Sequence, residues 1–377
     1  MMPVIEGFSS EDRALLRDAV ARFVARHSAF PLRRAGSGLQ GGQSLWSEIA
    51  EMGLTGLLVD AQEGGTGGGD EELALVMEMF GHGLVVEPFL GTAVLGASLV
   101  GALADASQRD RWLPALVAGD LRLALAHFEA ASGYDRDPSD TRADSGSGGI
   151  VLYGGKSCVL DAPVADMVLV SACEGDGYSL FAVPKESVGL TLKPWTTVDG
   201  RPAADLVLNQ VSVDATMRLG APGQAGDALS WALDRATLAI GSDALGSMQN
   251  LLAQTRDFLQ TRRQFGQPLA RFQVLQHRLV DMHIAIEESR ALLAAARASL
   301  ALDRQQRTAA VAAAKYKLGQ SARLVGEQAV QLHGAMGMTQ ELPVSHHFKR
   351  LLSADALFGD CDFQLARFQA AGGSVPG

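Results

Sequence analysis

Apolar positions recur at helical spacing toward both ends of the chain and at strand spacing in the middle. Near the start, Leu16, Val20 and Phe23 fall on one face behind Ser9 and Ser10. Either serine can cap a helix whose first turn carries Glu11 and Asp12. A Gly/Ser loop at 36–42 precedes a short helix marked by Trp46 and Ile49. The glycine cluster at 64–69 predicts a loop, with Asp70 capping the helix that begins at Glu71. The apolar run 84–103 contains Glu87, Pro88 and three glycines, which predicts a buried helix–loop–helix rather than a membrane span.

From about residue 121 the period changes. Short β-rich runs at 123–128, 167–172, 179–183, 190–195 and 204–213 are separated by turn-forming stretches such as ASGYDRDPSD, GSGGI and EGDGY. This spacing predicts a small β-barrel or sandwich. The polar, Gly/Ser-rich segment 137–149 predicts a flexible exposed loop. From about 222 the helical period returns. Leu245, Met248, Leu252 and Leu259 share one face of a first long helix, and Leu275, Leu279, Met282, Ile286 and Leu293 one face of a second. On a third, Val311, Leu318, Val325 and Leu332 repeat every seven residues among Ala and Gly that allow close approach. Antiparallel bundle packing follows. The expected division is 1–120 helical, 121–221 β and 222–377 helical, with no internal repeat.

At 377 residues the chain is long enough for two or three domains and a large core. Hydrophobic residues at 47% against 20% charged describe a soluble globular protein. The net charge of −10 argues against nucleic acid or an anionic membrane as the main partner, so a polyanionic ligand must be gripped by local Arg and Lys. Three scattered cysteines, Cys158, Cys173 and Cys361, fit a reducing cytoplasm and no disulfide framework. The opening MMPVIEGFSSEDR has neither a basic nor an apolar leader region, so no signal peptide is expected.

The chemistry concentrates between Thr261 and Asp281, TRRQFGQPLARFQVLQHRLVD. Arg262 and Arg263 offer forked donors that match a phosphate or diphosphate. Phe265 offers a flat face, and Gly266-Gln267-Pro268 predicts the turn between two long helices. The plainer reading is a basic helix end followed by a turn. This segment closely resembles the flavin-contacting segment of the acyl-CoA dehydrogenase family. AVQLHGAMGMT at 329–339 resembles that family's glutamine-plus-glycine turn, with Gln331, Gly334 and Gly337 matching and Ala335 where a second glycine is usual. MGLTGLLVDAQEGGTGGGDEELALVMEMFG and RWLPALVAGDLRLALA resemble its N-terminal helical domain.

The resemblance spans nearly the whole chain and is strongest from 225 to 360. It implies a multi-domain α+β fold: an N-terminal helical domain, a middle small β-barrel and a C-terminal four-helix bundle. It implies FAD as cofactor, with Arg262, Phe265, Gln273, Gln331 and Gly334 as cofactor-binding residues. It further implies an acyl-CoA substrate and α,β-dehydrogenation by hydride transfer from the β-carbon, with a carboxylate removing the α-proton while the thioester carbonyl is hydrogen-bonded. Electrons would pass to an electron-transfer flavoprotein.

The chain also departs from the family pattern. The usual aromatic-X-Thr-Glu-Pro-Gly-X-Gly-Ser-Asp reads His127-Phe128-Glu129-Ala130-Ala131-Ser132-Gly133-Tyr134-Asp135, retaining Glu129 and Asp135. The Trp-Ile-Thr-like segment reads Ser157-Cys158-Val159-Leu160, without the indole and threonine that serve the flavin ring. The base positions fall on Gly359, with Asp360 beside it, and on Ala236, with Asp234 two residues away. What survives is the side that reaches a neighbour's flavin. This pattern is most similar to the small subunit of heteromeric acyl-CoA dehydrogenases of the pimeloyl or steroid side-chain type, and implies a homologous partner and an α2β2 assembly.

Two other readings stand beside it: a self-sufficient homo-oligomer with Asp360 as a displaced base, and a scaffold that only completes a partner's nucleotide site. Asp360 is equally suited to capping the last helix or touching flavin. By resemblance, Asp234 and Arg235 lie near the acyl-CoA channel. His346 and His347 lack a third metal ligand at suitable spacing and are expected at a solvated helix end or partner contact. Lys349 and Arg350 are expected to meet phosphate or cover a helix end. Cys158 and Cys361 are expected to be small core residues.

Overall fold

The computed structural model describes residues 7–27, 45–137, 140–146 and 149–373. The expected loop at 36–42 lies outside them, as do four positions of segment 137–149. The helices are α1 (Ser10–Arg26), α2 (Leu45–Glu51), α3 (Asp70–Gly83), α4 (Ala97–Leu103), α5 (Ala106–Val117), α6 (Gly226–Thr261), α7 (Gln273–Ala298), α8 (Arg304–His333), α9 (Pro343–Ala356) and α10 (Cys361–Ala370). The chain forms two compact units. One comprises 1–8, 43–69 and 86–236, the other 9–42, 70–85 and 237–377.

The first unit is built on one eight-stranded sheet. Its strands are β1 (Leu123–Ala126), β2 (Arg142–Gly146), β3 (Gly149–Leu160), β4 (Met167–Glu174), β5 (Gly177–Pro184), β6 (Leu190–Thr196), β7 (Pro202–Val213) and β8 (Arg218–Leu219). The order is β6-β7-β3-β2-β4-β5-β8, with β1 parallel to β4. Alternating residues such as Leu152, Val168, Val170, Phe181, Leu206 and Val211 fill its core. β2 and the twelve-residue β3 replace much of what reads as loop. Gly154, Gly155, Ser157 and Cys158 give β3 little strand propensity, but its antiparallel pairing with β7, from Ile150↔Val213 to Leu160↔Ala203, overrides that.

In the apolar run that reads as helix–loop–helix, 84–88 is the non-helical link after α3, and beyond it the chain is one uninterrupted helix, a π-helical stretch Leu90–Gly96 leading directly into α4. Gly91 N donates to Asp161 Oδ2 at 3.3 Å, and Thr92 Oγ1 exchanges hydrogen bonds with the backbone of Leu123 at 3.0 and 3.2 Å. These bonds seat the stretch against the start of β1.

In the second unit Ser9 is the cap of α1, accepting from Asp12 N. The seven-residue series Val311, Leu318, Val325 and Leu332 is buried along α8, and Met282, Ile286 and Leu293 along α7. Helices α3 and α6 touch backbone to backbone. A Cβ on Gly81 would lie 1.7 Å from Asp243 O, and one on Gly246 1.8 Å from Glu78 O, so only glycine permits the crossing. At the same place Arg350 of α9, 1% exposed, pairs with the equally buried Asp243 at 3.0 Å and donates through Nη2 to the Val85 carbonyl. Arg350 is thus a core residue, not a phosphate contact or helix-end cover. His347 is likewise buried rather than solvated, because Val344, His347, Leu351 and Ala354 form the inward stripe of α9.

Arg350→Met strands a buried carboxylate, and urea unfolding should report a loss of about 3–5 kcal/mol. Adding Asp243→Leu should restore much of it. A single variant as stable as the wild type would contradict the structural role given to the pair.

Candidate functional site

Arg262 N still bonds to Phe258 O at 2.8 Å, and the chain then makes a two-stranded hairpin, Arg263–Gln264 against Gln267–Pro268. Its tip is Phe265-Gly266, both at positive φ (53° and 79°), the geometry of a tight two-residue hairpin turn. The turn therefore lies one residue earlier than Gly266-Gln267-Pro268. Leu269 N closes back on Arg262 O at 2.9 Å. Phe265 is 88% exposed and packs edge-to-face with Phe272, at 6.0 Å between ring centroids.

The second cofactor-like segment reaches the same end of the bundle. The His333 ring stacks on Phe258 at 4.4 Å, one helical turn before Arg262. Gly334 ends α8 with φ 66°. Arg278 of α7 donates to Gln328 of α8 at 3.1 Å, which brings the starts and ends that carry Gln273 and Gln331 side by side. Arg262, Phe265, Gln273, Gln331 and Gly334 are all exposed. A Cβ at Gly266 or Gly334 would meet nothing within 4 Å, so this backbone is open to close approach. A cationic fork, a flat ring, two amides and an open glycine turn fit the diphosphate portion of a dinucleotide.

Asp360 is not part of this group. It caps α10, its Oδ1 accepting from Phe363 N at 3.0 Å. Its turn is tied to Lys315, eighteen residues along α8 from His333, about 27 Å at the helical rise. Cys361 is partly buried, and burial followed by the Asp355 charge pushes its thiol up to about 11.

In the first unit, the segment around Glu129 is a buried polar network. Glu129 accepts from Asp140 N at 2.8 Å, Thr141 N at 2.9 Å and Lys156 Nζ at 2.8 Å. Burial alone would raise its pKa, but those donors hold it low. Lys156 also donates to the His127 carbonyl and to Ser171. His127 donates from Nε2 to Arg136 O at 3.1 Å, leaving Nδ1 to accept from Ser171 at 2.9 Å. Burial, then the Lys156 charge, pushes the His127 imidazole down to about 3. Arg136 pairs with the buried Asp234 at 2.6 Å, so the Asp234 carboxylate is engaged.

Cys158 is exposed, not core. It stands at φ 53° on an irregularity of β3, with its N–H and the Ser157 hydroxyl both given to Asp205 Oδ1 at 2.9 and 3.3 Å. A carboxylate with its two donors thus occupies the stretch where the indole and threonine are missing, and this part does not fit an isoalloxazine contact of the expected kind. Lys156, Asp205, Phe258 and His333 are the residues sequence reading passes over. For one of them a signal exists, since Phe258 stands four residues before Arg262 and so on the same helical face. Among the described residues, no His/Cys/Asp/Glu group could hold a metal ion, and no helix is long and apolar enough to cross a membrane.

The helical–sheet–helical order is that of a flavin-dependent dehydrogenase fold, and the comparisons agree. The acyl-CoA dehydrogenase N-terminal domain matches residues 10–120 and the acyl-CoA dehydrogenase C-terminal domain residues 226–372. The chain belongs to the acyl-CoA dehydrogenase family, whose enzymes depend on FAD. The human mitochondrial short-chain specific acyl-CoA dehydrogenase is 28% identical over 84% of this chain and 80% of its own. A variant of the Tcur3481-Tcur3483 steroid ACAD superposes with a TM-score of 0.87 at 29% identity, covering 96% of this chain and 97% of its own. The ChsE4-ChsE5 complex from Mycobacterium tuberculosis gives 0.88 at 25%, covering 98% and 99%.

The low pKa of His127 has a pH consequence. Below about 6.5 the unfolded chain takes a proton that the native imidazole refuses until about 3, so stability falls as pH drops through that window. Relative to His127→Gln, the wild type should lose up to about 1.4 kcal/mol per pH unit there. A stability difference that stays flat between pH 7 and 4 would contradict a neutral buried His127.

Proposed function

We propose that this chain is a subunit of an FAD-dependent acyl-CoA dehydrogenase, acting in α,β-dehydrogenation of an acyl-CoA thioester with a homologous partner chain that supplies the base. The observation that carries this reading is the separation within one chain. The five bundle-end candidates are exposed together, while Asp360 is engaged as a helix cap about 27 Å along α8 from them. Similarity to the Tcur3481-Tcur3483 protein and the ChsE4-ChsE5 complex, each named for two chains, supports the heteromeric form. An α2β2 assembly, delivery of electrons to an electron-transfer flavoprotein, a cytoplasmic setting and the three-domain division 1–120, 121–221 and 222–377 belong to the same proposal.

The bound flavin supplies the hydride acceptor. This chain's part is to hold and orient it. Arg262 would hold the diphosphate through its guanidinium fork, Phe265 would offer its flat face, and Gln273 and Gln331 would offer amide bonds. Gly334 lets backbone N–H groups approach. A partner's sheet domain then carries the ring contacts that Ser157-Cys158-Val159-Leu160 lacks, and the partner's carboxylate takes the α-proton.

A self-sufficient homo-oligomer with Asp360 as base is the second reading, favoured by the position of Asp360 directly beside the family's base position. Asparagine caps a helix as well as aspartate, so Asp360→Asn separates the two without unfolding α10. Under our reading it leaves the turnover of the complex within about threefold. A drop of about 100-fold or more with flavin retained would transfer the base to Asp360. Arg262→Ala should weaken flavin retention by the complex about 10- to 100-fold. Unchanged retention would remove the diphosphate role, and a complex that keeps its flavin but loses only stability would favour the scaffold reading.

A further inference from the structure

The turn between α9 and α10 is held by three side chains, Lys315 and Gln364 taken out of solvent and Arg323 exposed. Lys315, 2% exposed, donates from Nζ to the carbonyls of Asp355 at 2.7 Å and Gly359 at 3.1 Å. Gln364, fully buried, donates from Nε2 to the Phe358 carbonyl at 2.8 Å. The Asp355 carboxylate takes Nε and Nη2 of Arg323 on one oxygen at 2.8 and 2.7 Å. Three successive anchors therefore fix the backbone from 355 to 359, and each would leave a buried carbonyl or carboxylate unsatisfied if removed.

Within that frame the backbone turns left-handed twice, at Phe358 (φ 60°) and Gly359 (φ 106°). A Cβ on Gly359 would lie 2.3 Å from Phe363 Cδ1 and 2.9 Å from Gln364 Nε2. The aromatic ring belongs to the first turn of α10, which Asp360 caps through the N–H of the same Phe363. Moving the ring away therefore also disturbs the cap.

We infer that Lys315 is a positioning residue that locks this turn around a glycine, so that position 359 accepts no side chain and the chain is barred from presenting a carboxylate there. This rests on the reading above for the significance of position 359. The absent base is then a property of the whole turn, and Gly359→Glu alone does not recreate a proton acceptor.

Amide hydrogen exchange, resolved by peptide on the full-length chain, tests the lock without reference to flavin or turnover. Amides at 356–364 should exchange slowly in the wild type. Lys315→Met should speed them about 100-fold or more while the hairpin at 262–268 keeps its rate. Lys315→Arg, which retains a cationic donor, should recover most of the protection. Gly359→Ala and Gly359→Glu should each lower the Tm by several degrees. Unchanged exchange at 356–364 in Lys315→Met overturns the inference, and so does a Gly359→Glu chain with wild-type Tm and protection. If Lys315→Met does not fold, the two glycine variants decide by themselves. Discovery that the chain alone binds a full complement of flavin would defeat the heteromeric reading and leave these exchange results standing.

Discussion

Asp243 is the residue on which the helical unit turns. Its carbonyl faces Gly81 at a distance no side chain could share, and its carboxylate pairs with Arg350 in full burial. One residue of α6 thereby fixes α3 on one side and α9 on the other. A buried ion pair is costly to break and sets a unique arrangement more than it adds stability. Here the arrangement matters for what lies at either end. α6 runs on to deliver Arg262 and the hairpin, and α9 runs on to the turn at 355–360.

Those two ends are used differently. At the hairpin, positive φ angles, an exposed phenyl ring and open glycines leave polar backbone and a guanidinium facing outward. Such a surface suits a ligand that carries negative charge. At the 355–360 turn the donors point inward, and the carbonyls of Asp355, Phe358 and Gly359 are taken by Lys315 and Gln364. The sheet unit repeats the second pattern, with Glu129 saturated by donors and Asp205 closing the irregularity at Cys158. In both places charged and polar side chains are bound into local structure.

The sequence was informative wherever a period was long. The seven-residue series on α8 and the apolar faces of α6 and α7 identified the bundle, and the resemblance at 261–281 and 329–339 pointed to the residues that gather at its end. It misled where tertiary pairing outweighs local preference. β3 forms through its ladder with β7 in spite of three glycines and a left-handed Cys158. Arg350 and His347 look like surface residues because the partner that buries Arg350, Asp243, lies more than a hundred positions away. The hairpin tip moved to Phe265-Gly266 because a two-residue turn needs two positive φ angles, and a phenylalanine there has no propensity signal. The capture of Asp360 by Phe363 N was legible only as one option among three.

The central claim is that this chain completes a flavin site whose ring contacts and base belong to another chain. Flavin content per chain, measured by absorbance for the protein purified alone and then co-expressed with a homologous acyl-CoA dehydrogenase subunit, tests it most directly. The account predicts little or no flavin on the chain alone and about one flavin per pair of chains in the complex. One flavin per chain in the isolated protein would contradict it.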